Sequence, residues 1–330
     1  MMSAARRERP RTRLHIVSGK GGTGKTTVAA ALALALASDG KRVLLCEIEG
    51  RQGIASLFDV APLPYEERSI AVGSGGGEVC ALAVDTEAAL LEYLDMFYHL
   101  GRAGKILDRV GVIDFATTVA PGVRDVLLIG KVYEATRRSE NGRRTYDVVV
   151  LDAPPTGRIG RFLNVNTEVA GIAKVGPIRR QATSIMKLLT SDETRVHLVT
   201  SLEEMPVQET LDALDELAGL RLRLGAVVVN AVSETQVPED LMDDTAAGDL
   251  DEAHIAASLK EAGVSADATV VTGLIDVGAQ HAERMRLQAR QRQRLEGVKS
   301  AVVELPLLSD GIDLGSLYEL ADHLRESQEF

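Results

Sequence analysis

Cysteine is nearly absent: Cys46 and Cys80 are the only two in 330 residues. Two thiols so far apart make neither a disulfide framework nor a Cys-x-x-Cys metal site. Tryptophan is missing and aromatics reach only 3%, so the core of this 45% hydrophobic chain must be aliphatic. An excess of positive charge is missing too. Lys+Arg number 37 against 48 Asp+Glu, a formal net charge of −11. That balance argues against a general nucleic-acid partner, which needs a basic face to displace counterions from phosphates. No apolar run approaches the roughly 20 residues of a membrane span. The longest, Val28 to Ala37, is half that and lies inside a helical pattern. The early arginines (Arg6, Arg7, Arg9, Arg11, Arg13) are followed by no apolar stretch of the secretory kind. Residues 1–12 are therefore expected to be a disordered basic tail. The protein is expected to be cytoplasmic, with no intrinsic membrane anchor.

What the chain does contain is an alternation of short β-branched runs and longer helical stretches, the mark of an α/β fold with a doubly wound, mostly parallel sheet. Strands are expected at Leu14–Ser18, Arg42–Ile48, Val79–Val84, Tyr146–Leu151, Arg195–Thr200, Leu224–Asn230 and Ala301–Leu305. Several are almost wholly apolar, as strands covered on both faces should be. Residues 13–330 read as one domain, with α-helical insertions at about 85–144 and 162–190. In the first insertion Leu90, Leu91, Leu94, Phe97 and Tyr98 share one helical face, and Ile106, Leu107 and Val110 another. Glu234–Glu252 carries eight acids and no base and reads as a mobile, solvated segment. Arg284–Arg294 reads as the solvated face of a helix, and Gly73–Gly77 as a flexible loop.

The strongest local signal is Gly19-Lys20-Gly21-Gly22-Thr23-Gly24-Lys25-Thr26, which satisfies G-x-x-x-x-G-K-[ST]. It follows the expected strand Leu14–Ser18 and opens an Ala/Leu-rich helix, the context that this phosphate-binding pattern requires. Glycines let backbone N–H groups turn inward around a β-phosphate, and the helix N-terminus adds partial positive charge. Lys25 is placed to reach β- and γ-phosphate oxygens, and Thr26 to ligate Mg²⁺, with Thr27 beside it. The second lysine, Lys20, gives the form K-G-G-x-G-K-[ST] of the deviant Walker A class. In a closed dimer such a cation can lie against the partner's γ-phosphate, where charge builds up during transfer. Asp152 ends the apolar strand Val148–Leu151, where a carboxylate would hold a Mg²⁺-bound water.

These motifs together resemble the ArsA/Get family, the arsenite-pump ATPases and the ATPases that deliver tail-anchored membrane proteins. The resemblance runs from about Arg13 to Leu324. Asp152-Ala153-Pro154-Pro155-Thr156-Gly157 is similar to the family's D-x-A-P-T-G switch II, and Pro121-Gly122 with Asp125 to a P-G-x-x-[ED] motif of its helical subdomain. Glu203, followed by Met205-Pro206 and Glu209-Thr210, resembles a segment whose leading Glu touches nucleotide across the dimer. By the same resemblance Asn230 would hydrogen-bond adenine, and Pro306 and Leu307 would pack on its ring.

Three departures qualify the resemblance. Where the family has a D-P-A-H-S switch I, this chain reads Glu47-Ile48-Glu49-Gly50-Arg51-Gln52, aligning Glu49 with the catalytic aspartate. The Cys-x-x-Cys that holds zinc at the targeting factor's dimer interface has no counterpart in Thr272–His281, so no zinc is expected. The arsenite pump is a tandem duplication with metalloid-binding thiols; this is one copy with two cysteines. The resemblance implies a dimeric ATP- and Mg²⁺-dependent switch, a homodimer or a heterodimer with a paralogous subunit, acting on a client or membrane-protein partner. An anion-pump subunit and a low-turnover regulatory module are the alternatives. Only Met96 and Met186 fall in the helical segments, so no Met-rich client groove is legible.

Overall fold

A computed structural model describes residues 12–98, 121–165, 177–235, 237–309 and 311–330. All seven expected strands form, and one more with them. The sheet runs β10 (Val302–Pro306), β9 (Leu224–Val232), β8 (Thr194–Thr200), β1 (Leu14–Gly19), β7 (Val148–Asp152), β2 (Val43–Glu47), β4 (Glu78–Ala83), β3 (Arg68–Val72). Every pairing is parallel except β3–β4. β3 is the strand that the sequence hides. It is short and half exposed at the sheet edge, so it shows no apolar run. A separate two-stranded ribbon joins β5 (Ser139–Glu140) and β6 (Arg143–Arg144).

Alternation along the strands sends side chains to two cores. Leu14, Ile16, Leu44, Cys46, Val149 and Leu151 point to one face. There they meet α4 (Pro121–Arg137), α5 (Thr156–Leu163), α6 (Pro177–Leu189) and α7 (Glu204–Gly219). Val17, Val43, Leu45, Val148 and Val150 point to the other, against α1 (Lys25–Ala37). α1 is sealed beneath α11 (Leu314–Glu326), and from Val28 to Ala37 no residue of α1 is more than 4% exposed. A helix buried all round must be apolar all round, which is why its sequence shows no amphipathic stripe. Helix α2 (Gly53–Leu57) follows β2, and α3 (Thr86–Tyr98) packs on α4.

Two surface readings need correction. The acidic segment is largely exposed, as expected, but it is built into regular structure. Glu239–Leu241 forms a 3₁₀ turn and Met242–Ala247 forms α8, which packs on α10 (Ala268–Leu295) with Thr245 buried. Asp243 pairs with Arg286 at 3.2 Å, and Asp251 caps α9 (Glu252–Glu261) by accepting from the Ala253 and His254 amides. The basic run of α10 thus neutralises part of the acidic segment. Likewise Gly73–Gly77 is a packed turn. A Cβ at Gly73, Gly75 or Gly77 would strike backbone atoms at the end of α1, so only glycine lets the β3–β4 turn approach so closely. Residues 1–11 of the expected tail and the faces built on Ile106, Leu107 and Val110 lie outside the described residues, as do the side chains of Leu94, Met96, Phe97 and Tyr98.

Candidate functional site

The C-terminal edge of the parallel strands, where open α/β sheets bind ligands, gathers most of the residues singled out by sequence. β1 ends at Gly19 and the chain turns through Lys20–Gly24 into α1. Gly22 and Gly24 hold φ of +92° and +83°, backbone that glycine adopts without strain. A Cβ on Gly24 would also collide with the Asn230 amide, and one on Gly19 with the Val199 carbonyl. Gly21 and Gly22 face open space and are exposed, so their backbone can be approached from outside. Thr23 braces the turn by donating to Lys20 O at 2.9 Å and Val199 O at 3.2 Å. Thr27, next on α1, is half-buried.

Inside this cradle Lys25 is buried and lies between two carboxylates, 3.3 Å from Glu49 Oε2 and 3.8 Å from Asp152 Oδ1. Thr26 Oγ1 donates to Asp152 Oδ2 at 2.7 Å. Burial is the largest influence on Asp152. It pushes the carboxyl up to about 6 against the pull of Lys25 and Thr26, and the Glu47 and Glu49 charges push the same way. Asp152 Oδ1 and Glu47 Oε2 are both buried without a hydrogen-bond partner. The donor set fits a hydrated divalent cation carried by a nucleotide: a hydroxyl, hard carboxylate oxygens, and orphaned acceptors whose burial is costly without a cation. Among the described residues no group of three His, Cys, Asp or Glu could hold a metal alone. The rest of a cation's shell would have to be phosphate and water oxygen.

Two further contacts connect this centre to the rest of the molecule. Lys20 donates to Glu209 Oε1 on α7, while Thr156, at the start of α5, donates to Glu209 Oε2 at 3.1 Å. The Lys20 hydrogen bond is the main reason the Glu209 carboxyl titrates below its ordinary range. Glu49 lies 3.9 Å from both Arg51 and Arg158, and Arg158 also reaches Asp125 on α4 at 3.9 Å. Sequence reading missed Arg158, whose only signal was its place two residues beyond Thr156. Ser18 donates to Pro154 O at 2.6 Å, tying β1 to the Asp152–Gly157 segment.

Farther along the same rim, Asn230 Nδ2 donates to Thr23 O at 3.0 Å. Pro306 pairs with Val232 in the β10–β9 ladder, and Leu307, hydrogen-bonded to Val232 O, is exposed. Asn230 on β9 therefore touches the loop, with Pro306 at the end of the neighbouring β10 and Leu307 just beyond it. Glu203 does not join them through a contact of its own. It is exposed at the N-cap of α7, and its side chain does not cap that helix.

Comparison with known proteins agrees with this arrangement. Residues 12–191 match the family model described as anion-transporting ATPase, ArsA_ATPase. The chain is 52% identical over 316 residues to ATPase BagA of Mycobacterium tuberculosis (strain ATCC 25618 / H37Rv), covering 95% of this chain and 93% of that protein. It is 26% identical over 230 residues to the arsenical pump-driving ATPase of Acidiphilium multivorum, covering 65% of this chain and 38% of that one. ATPase GET3 of Phaeosphaeria nodorum is 28% identical over 174 residues, half of this chain and 49% of its own length. The phosphate-type loop, the Asp152 segment and the doubly wound sheet are thus parts of one inherited design, and the chain belongs to the ArsA/Get-type family of ATPases.

Proposed function

We propose that this chain is a Mg²⁺-dependent ATPase that works as a dimeric switch and transmits its nucleotide state to a client or partner protein. The observation that carries the reading is the buried Lys25, held between Glu49 and Asp152 at the mouth of a glycine loop with open backbone. A buried ammonium between carboxylates is poised to exchange them for phosphate oxygens. Backbone N–H groups of Gly19, Gly21, Gly22, Thr23 and Gly24 would cradle the β-phosphate, with Thr26 and Thr27 at the helix N-terminus. Thr26 and Asp152 would hold the cation, which would supply charge neutralisation at the phosphates when bound. Asn230, Pro306 and Leu307 would receive adenine, and Glu203 would meet nucleotide from a facing subunit.

The same residues suggest how the state is transmitted. A triphosphate that takes Lys25 frees Glu49 to orient the attacking water. Glu49 has one methylene more than the family's aspartate, and a misplacement of about 1 Å can cost roughly 100-fold, so slow turnover is expected. Lys20, drawn to a γ-phosphate across the dimer, would release Glu209 and with it Thr156. Arg158 would carry movement of Glu49 to Asp125 and the helices beyond. These ion pairs are partly exposed and weak enough to exchange.

An anion-pump subunit, suggested by the pump-driving relatives, has less support in this chain. Both thiols are buried in β2 and β4, and burial pushes them up, away from the thiolate that a metalloid would need.

Titration calorimetry with ATP·Mg²⁺ tests the assignment. Lys25→Ala should weaken binding about 10–100-fold, the worth of a charge-assisted bond. Unchanged affinity and turnover would overturn it. Sedimentation with a non-hydrolysable ATP analogue should show a dimer, and a monomer with no copurifying paralogue would remove the switch mechanism.

A further inference from the structure

The β2–β7 register places Glu47 directly opposite Asp152. Side chains at paired positions of parallel strands leave the sheet on the same face, here the face under α1, where Leu45 and Val150 also point. Two carboxylates therefore stand side by side behind Thr26. Glu47 is 2% exposed; its Oε1 accepts from the Gly53 amide at 3.0 Å, and its Oε2 has no partner. Lys25 contacts Glu49 and Asp152, and among the described residues Glu47 has no ion pair. The Glu47 carboxylate and the Thr26 hydroxyl border one small compartment: a Cβ on Gly53 would lie 3.8 Å from Glu47 Oε1 and 3.9 Å from Thr26 Oγ1.

A buried carboxylate oxygen with neither donor nor cation is costly, and capping Gly53 occupies only the other oxygen. We propose that Glu47 is an outer-shell residue of the cation site, its Oε2 accepting a hydrogen bond from a water of the nucleotide-bound Mg²⁺. This rests on the nucleotide-site reading above. Magnesium gives up its water reluctantly and keeps several in protein sites, so it is commonly gripped through them. Glu47 would act on cation affinity, as a positioning residue, rather than on the reacting atoms. It also answers why the strand tolerates a second carboxylate beside Asp152.

The test uses the full chain with ADP and Mn²⁺, followed by the paramagnetic resonance of free Mn²⁺. Glu47→Gln should weaken Mn²⁺ binding to the protein–ADP complex about 10–100-fold, the usual cost of losing an outer-shell partner. ADP affinity in EDTA should be unchanged or tighter, because a negative charge near the phosphates has gone. Glu47→Asp, which keeps the charge but withdraws it, should fall between. Wild-type Mn²⁺ affinity in folded Glu47→Gln would overturn the proposal. So would a variant that melts lower in EDTA and loses metal-free and metal-dependent ADP binding alike, which marks a structural cap only. If the unaltered protein binds no ADP with or without metal, the nucleotide-site reading itself falls, and this inference with it.

Discussion

Two polar clusters at opposite ends of the same strands are buried in opposite ways. At the N-terminal end, His15 on β1 and His197 on β8 stack with ring centroids 5.2 Å apart and share a hydrogen bond of 3.0 Å. The Ala226 amide donates to His197 Nδ1 at 3.1 Å, which leaves the His197 proton on Nε2, facing His15. The Phe330 ring lies 5.0 Å from His197. Burial, the largest influence on both, pushes His197 down to about 3 and His15 well below its ordinary range; Arg195 acts the same way on each, and His197 and Lys41 on His15. Both rings are therefore neutral. At the C-terminal end the buried groups are a lysine and carboxylates, and two carboxylate oxygens lack a hydrogen-bond partner. The histidine pair is a closed hydrogen-bonded network that stabilises the fold, although Arg13 Nε and Glu193 Oε2 at the same end also lack a hydrogen-bond partner. The second carries an unmet electrostatic demand, which is what a ligand can satisfy.

The sharpest way to break this contrast is to remove charge from the C-terminal end. Asp152→Asn should lower Mg²⁺-dependent turnover by about 100-fold or more, while raising the melting temperature of the nucleotide-free protein. A carboxyl displaced from 3.8 to about 6 corresponds to roughly 3 kcal/mol of penalty on its charged form. Calorimetric melting in EDTA beside a steady-state assay checks both halves. A variant that is slower and also less stable would contradict the functional reading of that charge.

A smaller effect, and a purely structural one, is expected at the other end. His197→Ala leaves a cavity and an unpaired Ala226 amide, costing about 2–4 kcal/mol. Nucleotide affinity of the folded variant should not change. Denaturant unfolding and calorimetric binding on the same sample separate the two.

The pH dependence sharpens the comparison with the smallest signal. The buried histidines bind fewer protons folded than unfolded, so their stability contribution is lost as pH falls below about 6.5, for His197 toward 3. Asp152 has the opposite sign, because its folded carboxyl holds a proton more tightly than the unfolded one. Its penalty appears as pH rises from about 4 to 6 and persists above. Stability measured across pH 4–7 should therefore depend less steeply on pH in His197→Gln, and more steeply in Asp152→Asn. Parallel changes in the two variants would refute the assignment of opposite protonation behaviour.

Much of this protein is legible without coordinates because its signals are local. A parallel strand buried on both faces must be apolar along its length, so the central strands stand out in the sequence, whereas half-exposed β3 does not; edge strand β10, also half exposed, is legible only through its β-branched run. The phosphate-type loop is contiguous, and Gly22 and Gly24 hold the positive φ of the turn itself, although Gly19 answers to the distant Val199 carbonyl. The acidic segment misleads because its order comes from packing on α10, which begins well downstream and pairs Arg286 with Asp243. Gly73–Gly77 misleads because what demands glycine there is the end of α1, not the turn itself.

The sequence by itself determined the alternation of strand and helix, the loop that begins at Gly19 and the apolar character of α1, since each follows from spacing and composition within one element. Only the tertiary structure decided which distant residues share a compartment. Setting β7 between β1 and β2 brings Asp152 beside Glu47 and Thr26, and pairing β9 with β10 brings Asn230 beside Pro306. The physical reason is that strand order is a property of the whole sheet: covering both faces chooses it, and no single stretch of residues records it.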